Sequence, residues 1–491
     1  MSAPNEINDP TTSTMEKTQT QPLGRKDSKA SKTDIESGHE TGNESSDVKN
    51  ATSEEFQSVF AGEGGKNFRV MGRSSTLFAL LTNQFGIAAL GLPSAYRDIG
   101  LIPGLITTLG TAIMAWYTGY ELYRFYCRHP HCLTVIDMAK VAGGRSWGII
   151  AAIAFLIQTI MCCASATVTL SIAFNTISEH AMCTVGFIGV ATIISWVLCL
   201  PRTIKFVAQS GVPTLISIVA AVLMTMISLG VADPIQAPDG WKPELKMFNN
   251  PGFRTIFNSV LKIVWAFAGH HAFVSYMAEM RDPVKDFPFA LSWLMGISAG
   301  FYSFLAIGIY CLAGEFTTSP ALGSAPMIPA KVAYGVVIPA ILTAALANGH
   351  IGIKYVFVVI MQRINAAKEI TANTTRAWAI WVAIVSVYWV LSFIISNAIP
   401  IFDSLVSIQS ATTYAWFSFG ISGVLWLNWN KGSYFKGAKQ TSLFCVNVAI
   451  ICWAFFMNGC GLWSSISQML DIFASGGGVS GSFSCGDNSS I

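Results

Sequence analysis

Residues 83–93 read Asn83-Gln84-Phe85-Gly86-Ile87-Ala88-Ala89-Leu90-Gly91-Leu92-Pro93, inside an apolar stretch long enough to cross a bilayer. Gly86 and Gly91 weaken a helix, and Pro93 has no backbone N–H to donate. A second run, Trp265-Ala266-Phe267-Ala268-Gly269-His270-His271-Ala272, places a glycine and two histidines in the middle of another apolar stretch. Irregular backbone at membrane depth is tolerated only where it lines a cavity. Glycine also serves close helix packing, and this chain has 42 glycines, so either break alone says little. The pair at matching positions predicts a membrane protein with an internal site.

Outward from these runs, apolar segments follow one another from residue 70 onward. Crossing the hydrocarbon takes roughly 20 apolar residues. The candidate spans are 74–96, 99–126, 146–176, 184–201, 207–231, 254–279, 287–313, 328–361, 377–397, 402–428 and 441–468, about eleven in all. The fourth is short, and the eighth is long enough to hide two segments. The interrupted spans are the first and the sixth, the spacing expected when helices 1–5 and 6–10 form a 5+5 inverted repeat with one extra helix. In such transporters, half-helix ends meet the substrate at the membrane midplane. The expected fold class is an all-α integral membrane protein.

Composition agrees. Of 491 residues, 52% are hydrophobic and 12% charged, and mean hydropathy is +0.51. Too few charges remain to build a soluble surface. Residues 1–65 hold twelve acids and six bases and few large apolar residues, a composition that does not fold alone; a disordered cytoplasmic tail is expected there. A transporter domain over 66–470 and a short extracellular or luminal tail over 471–491 follow. No cleavable signal peptide is visible at the start. With the N-terminus inside, seventeen Lys and Arg fall in cytoplasmic segments and five opposite, as the positive-inside rule requires. Asn43, Asn50 and Asn488 head glycosylation sequons; the first two would be cytoplasmic and unused. The eleven cysteines show no metal-ligand spacing, and a disulfide among Cys183, Cys460 and Cys485 is open. The net charge of +3 averages two opposite segments and gives no indication of a nucleic-acid partner.

Charged groups at membrane depth face a cavity or one another. Here they are Lys262, His270, His271, His350 and Lys354, with Glu279 closing the sixth span. His270 follows Gly269 directly, and histidine titrates near neutrality, which suits proton coupling; a neutral, hydrogen-bonded core histidine is the competing reading. His350 and Lys354 share a helical face. Lys354 either replaces a coupling cation or snorkels to the interface. Glu279 is a gate candidate if it pairs with a loop base, and otherwise a solvated interfacial carboxylate. Phe85, Phe267 and Phe273 flank the breaks and suggest a pocket for large neutral side chains.

These residues resemble the amino acid/auxin permease family, and within it the fungal neutral amino acid permeases of the methyltryptophan-resistance type. The resemblance spans roughly residues 68–470. Its carriers are Gly86 to Pro93, like the family's G-x-G-I-L-x-L-P with Ala88 in place of the second glycine, and Phe267 to His270 with Glu279-Met280-Arg281-Asp282-Pro283 and Phe287-Pro288. The resemblance implies a LeuT-like fold and secondary active transport, with the substrate carboxylate held around Gly86, Ile87, Ala88 and Ala89. The amino group and side chain would lie around Phe85, Phe267, Gly269 and His270. Proton symport is expected, with His270, His350 and Lys354 as coupling candidates. The expected partners are an amino acid, a proton and the bilayer, with no cofactor or metal. The plasma membrane is the expected location, a vacuolar membrane the alternative. A sodium-coupled carrier and an amino-acid sensor stay open. A membrane-embedded enzyme lacks support, for no nucleophile motif, H-x-x-x-D run or nucleotide loop occurs.

Overall fold

A computed structural model describes residues 71–202, 211–238, 240–366, 369–370, 372–475 and 481–489. The expected tail over 1–65, with the Asn43 and Asn50 sequons, lies outside them, as do Lys66, Arg69, Lys205 and Lys368. The described residues are helical, with no strand among them. α1 (Arg73–Gln84) and α2 (Leu92–Ile99) are joined by a 3-10 turn, Ile87–Gly91, and bend by 45° at the break. α3 is Leu101–Arg128, α4 Val135–Ser178, α5 Thr184–Cys199 and α6 Gly211–Val231. α7 (Phe253–Ala266) and α8 (His270–Glu279) form a second broken pair. α9 is Pro283–Ala313, α10 Met327–Arg363 and α11 Thr375–Ala398. α12 (Phe402–Gln409) runs through a π-helical segment, Ser410–Gly420, into α13 (Ile421–Trp429). α14 (Ala438–Phe456) continues past a second π-turn, Met457–Gly461, into α15 (Leu462–Ser475).

Among the described residues, seven helices are long and apolar enough to cross a membrane, eight if the bent α1–α2 pair is one span. The other expected spans are helical but in shorter pieces. The fourth is a 16-residue helix; the sixth divides at Phe267–Gly269; the tenth is interrupted by the π-helix. The long eighth span is one helix, α10, that tolerates Pro339 in its interior. Gly144, at φ 75°, kinks α4, so the part before it is a separate short helix capped by Thr134, whose side chain accepts from Asp137 N. Glycine is suited to that left-handed backbone.

The surface is apolar where lipid would lie: Ile113, Ile216, Ile227 and Val387 are all more than 60% exposed. Inside, Thr and Ser side chains close onto helix carbonyls, as Thr159 Oγ1 does with Phe155 O at 3.1 Å. This inversion is what a bilayer demands, since hydrocarbon cannot satisfy polar groups. α4 and α10 pack on each other most extensively, and α9 lies against α1 and α3. Small residues permit the α4–α10 approach: a Cβ on Gly352 would lie 2.7 Å from Thr159 Oγ1 and 2.5 Å from Tyr388 Oη.

At the end of the molecule carrying the α4–α5 turn, Cys183 is disulfide-bonded to Cys485, 302 residues away in sequence. Cys460 is a free thiol. The bond holds residues 481–489 against the helix ends. Asn488 is buried there, donating to Ser171 Oγ at 2.8 Å and accepting from Asn175 Nδ2 at 2.6 Å.

Candidate functional site

The first break begins one residue before Gly86. α1 ends at Gln84, and Gly86 is extended, at φ −110°. Pro93 sits in the first turn of α2, where its missing N–H costs nothing; it starts the second half-helix rather than breaking the first. The carbonyl freed by the break is satisfied by a distant side chain, with Tyr302 Oη donating to Gln84 O at 2.8 Å. The second break, Phe267–Gly269, lies against the first. A Cβ on Gly269 would lie 3.2 Å from Gln84 Oε1 and 3.3 Å from the Phe273 ring. The two interruptions meet, and a glycine at 269 lets them do so.

Between them lies a cavity of about 70 Å³, smaller than the usual small-molecule site. The first break contributes Asn83, Gln84, Gly86, Ile87 and Ala88, and the second Trp265, Ala266, Ala268, Gly269 and His271. Cys162 of α4, Ala344 and Asn348 of α10, and Tyr414 of the π-helix complete the wall. Of the expected substrate residues, Gly86, Ile87, Ala88 and Gly269 therefore line the cavity. Phe85 instead stacks on Phe301, with ring centres 4.7 Å apart, and Phe267 packs edge-on to Tyr302 at 5.2 Å. Ala89 is buried behind the wall.

The two adjacent histidines divide as helix geometry requires. His271 faces the cavity, its ring 6.0 Å from that of Tyr414. His270 turns away into α3, with Nε2 2.8 Å from Ala115 O and 3.1 Å from Thr118 Oγ1. The carbonyl can only accept, so Nε2 carries the proton in that bond. His350 is buried in α10 and stacks on Trp381 at 6.0 Å, away from the cavity wall. Lys354, one turn further, faces the Glu279 carboxylate electrostatically.

The wall is polar without being charged. Gln84 Nε2 donates to Ser298 Oγ at 3.1 Å, while its Oε1 has no hydrogen-bond partner. Tyr414 Oη and Cys162 Sγ are 3.2 Å apart, and Gln409 Nε2 donates to the same sulfur at 2.8 Å. No Asp, Glu, Lys or Arg is among the described lining residues. Sequence reasoning missed Trp265, His271, Asn348 and Tyr414 as wall residues. For the last two no local signal exists, because Asn348 lies inside α10 and Tyr414 inside the π-helical segment, both far in sequence from either broken pair.

The family model described as transmembrane amino acid transporter protein matches residues 71–467, which include both breaks and the whole cavity wall. A Neurospora crassa protein named N amino acid transport system protein is 28% identical over 435 residues, covering 87% of this chain and 90% of that protein. A Fusarium pseudograminearum protein named transmembrane transporter is 28% identical over 433 residues, covering 87% of this chain and 89% of that protein.

Proposed function

Because the chain belongs to the transmembrane amino acid transporter protein family, and is thus a multi-pass membrane transporter of amino acids, we propose that it imports neutral amino acids by proton symport. The observation that carries the neutral preference is the cavity wall, polar yet without Asp, Glu, Lys or Arg among the described residues. A zwitterion has two opposite charges that backbone dipoles and amides can meet. A third charge on the substrate side chain would be buried without a counter-ion, at a cost of several kcal/mol.

In this reading the substrate carboxylate approaches the backbone N–H groups of Ile87 and Ala88, where a helical turn restarts and its dipole favours negative charge. The ammonium group meets carbonyls around Ala266 and Ala268, with Gln84 Oε1 as the side-chain acceptor. The substrate side chain extends toward Trp265 and Tyr414. Helices α4 and α10 form the opposite wall, so access alternates as the broken pairs move against them. The two breaks match the inverted-repeat arrangement, with α1–α2 answering α7–α8.

His271, the titratable group in the wall, is added to the coupling candidates His270, His350 and Lys354. The N-terminus is placed in the cytoplasm and the Cys183–Cys485 end outside, in keeping with the placement of Lys and Arg and with disulfides forming in oxidising compartments. The plasma membrane is the proposed location. Uptake of a labelled neutral amino acid, challenged with excess unlabelled neutral, acidic or basic amino acids, tests the substrate class. Competition by neutral amino acids alone is expected. Equal competition by glutamate or lysine would contradict it.

A further inference from the structure

The segment that carries Tyr414 into the cavity wall is gripped by another span. Ser410–Gly420 is π-helical, and the N–H of Ile421 reaches back five residues to Trp416 O. Such turns are rare interruptions of α-helices, and the change of register disturbs the regular backbone ladder. Side chains reinforce it here. Thr412 Oγ1 donates to Ile408 O at 2.8 Å, and Thr413 Oγ1 to Gln409 O at 3.1 Å. Asn458, in the π-turn between α14 and α15, supplies the rest. Its Nδ2 donates to Ala411 O and, at 3.2 Å, to Thr412 O, and its Oδ1 accepts from Trp416 Nε1.

These contacts bracket Tyr414. Ala411 and Thr412 come just before it and Trp416 just after, and one amide holds all of them. Close packing adds to the grip. A Cβ on Gly461 would lie 3.1 Å from Ala411 Cβ, and a Cβ on Gly420 would lie 3.1 Å from Ala454 Cβ. The last span therefore lies against the π-helix at both of its ends. Tyr414 itself reaches the cavity, with Oη 3.2 Å from Cys162 Sγ and its ring 6.0 Å from that of His271. Asn458 does not line the cavity; it touches the helix that does.

We infer that Asn458 is a positioning residue for the substrate site, holding the π-helical register that aims Tyr414 at the cavity. The competing register is an ordinary α-helix, which the chain forms on either side as α12 and α13. Side-chain direction follows the rotation of the backbone, so a shift to that register turns the Tyr414 ring out of its place in the wall. The Asn458 amide opposes the shift, because releasing it strips partners from two carbonyls and the Trp416 N–H where little water can replace them. A binding site keeps its geometry only when the groups behind its wall are themselves locked. The last span, beyond the ten of the expected repeat, thereby gains a part in recognition. That the cavity binds an amino acid rests on the transport reading above; the hold of Asn458 on Tyr414 does not.

Asn458→Leu keeps a similar volume and removes every hydrogen bond of the amide. Two readouts on the full-length chain test it. In lipid nanodiscs, Cys162, half-buried beside Tyr414, is reacted with a small methanethiosulfonate and followed by mass spectrometry, with the exposed Cys127 as internal reference. In cells, uptake of a labelled neutral amino acid gives KM and kcat per molecule at the surface. Asn458→Leu should raise the Cys162 rate several-fold relative to Cys127, and should raise KM with little change in kcat. In a Tyr414→Ala background, with no ring to misplace, Asn458→Leu should add little to either readout. Trp416→Phe, which removes only the bond to Oδ1, should move both readouts the same way but less; it serves if Asn458→Leu does not fold. An unchanged Cys162 rate, or effects that multiply in the double variant, would overturn the inference, whatever happens to Tm. A faster Cys162 rate in a protein that moves no amino acid would leave the positioning role standing and overturn the transport reading instead.

Discussion

His270 and His271 are neighbours with opposite surroundings, and their substitutions should separate accordingly. His270 bridges α8 to α3 through Ala115 O and Thr118 Oγ1. His270→Ala should cost about 1–3 kcal/mol of stability through lost hydrogen bonds and an emptied core site, seen as a lower Tm in detergent. His271 contributes wall to the cavity. His271→Ala should leave Tm nearly unchanged and alter the KM or pH profile of uptake. The reverse assignment of effects would mean that His270, not His271, acts in transport. Residue-scale reading of the sequence could name both histidines but not choose between them, because adjacent helical positions diverge by about 100° and one sequence does not say which direction is inward. Lys262 was visible as one of two lysines at membrane depth, with Lys354. Its partners were not, since Asp98 and Asp403 lie 164 and 141 residues away in sequence.

Glycine and proline punctuation is local, which is why the two broken elements were legible from the chain. Gly86 and Gly269 mark them, and the structure adds that the two gaps touch. The π-helix over Ser410–Gly420 has no such punctuation, so Tyr414 entered the wall unannounced. At the same scale, the α4–α10 contact depends on glycines that no break identifies. Gly352 leaves no room for a side chain between Thr159 and Tyr388. Gly352→Val should force α10 away from α4 at a cost of about 1–3 kcal/mol. Reduced yield of folded protein and a lower Tm would check this; a variant with wild-type Tm and uptake would show that the interface has slack.

For the molecule as a whole, composition and hydropathy were enough to give an all-helical membrane protein, because a bilayer leaves few alternatives. Long-range ties were out of reach. Among three candidate cysteines, only the folded chain pairs Cys183 with Cys485. Opening that bond by Cys183→Ser with Cys485→Ser should lower stability by about 2–4 kcal/mol, and should loosen residues 481–489 from Ser171 and Asn175. The docked segment also uses both polar atoms of the Asn488 amide. The protein should therefore run without a glycan at that sequon, and deglycosidase treatment should not shift its mobility. A glycan on Asn488 would show that the segment is undocked when the sugar is added.

The measurement that bears most directly on the central claim is uptake of a labelled neutral amino acid by cells lacking their own carriers. It would be made at about pH 5 and about pH 7.5, with and without a protonophore, and with surface labelling to verify delivery. The account predicts that intact amino acid accumulates, faster in acid, and that accumulation collapses with the protonophore. Uptake indifferent to both would contradict proton symport, and no uptake by protein present at the cell surface would contradict import across the plasma membrane.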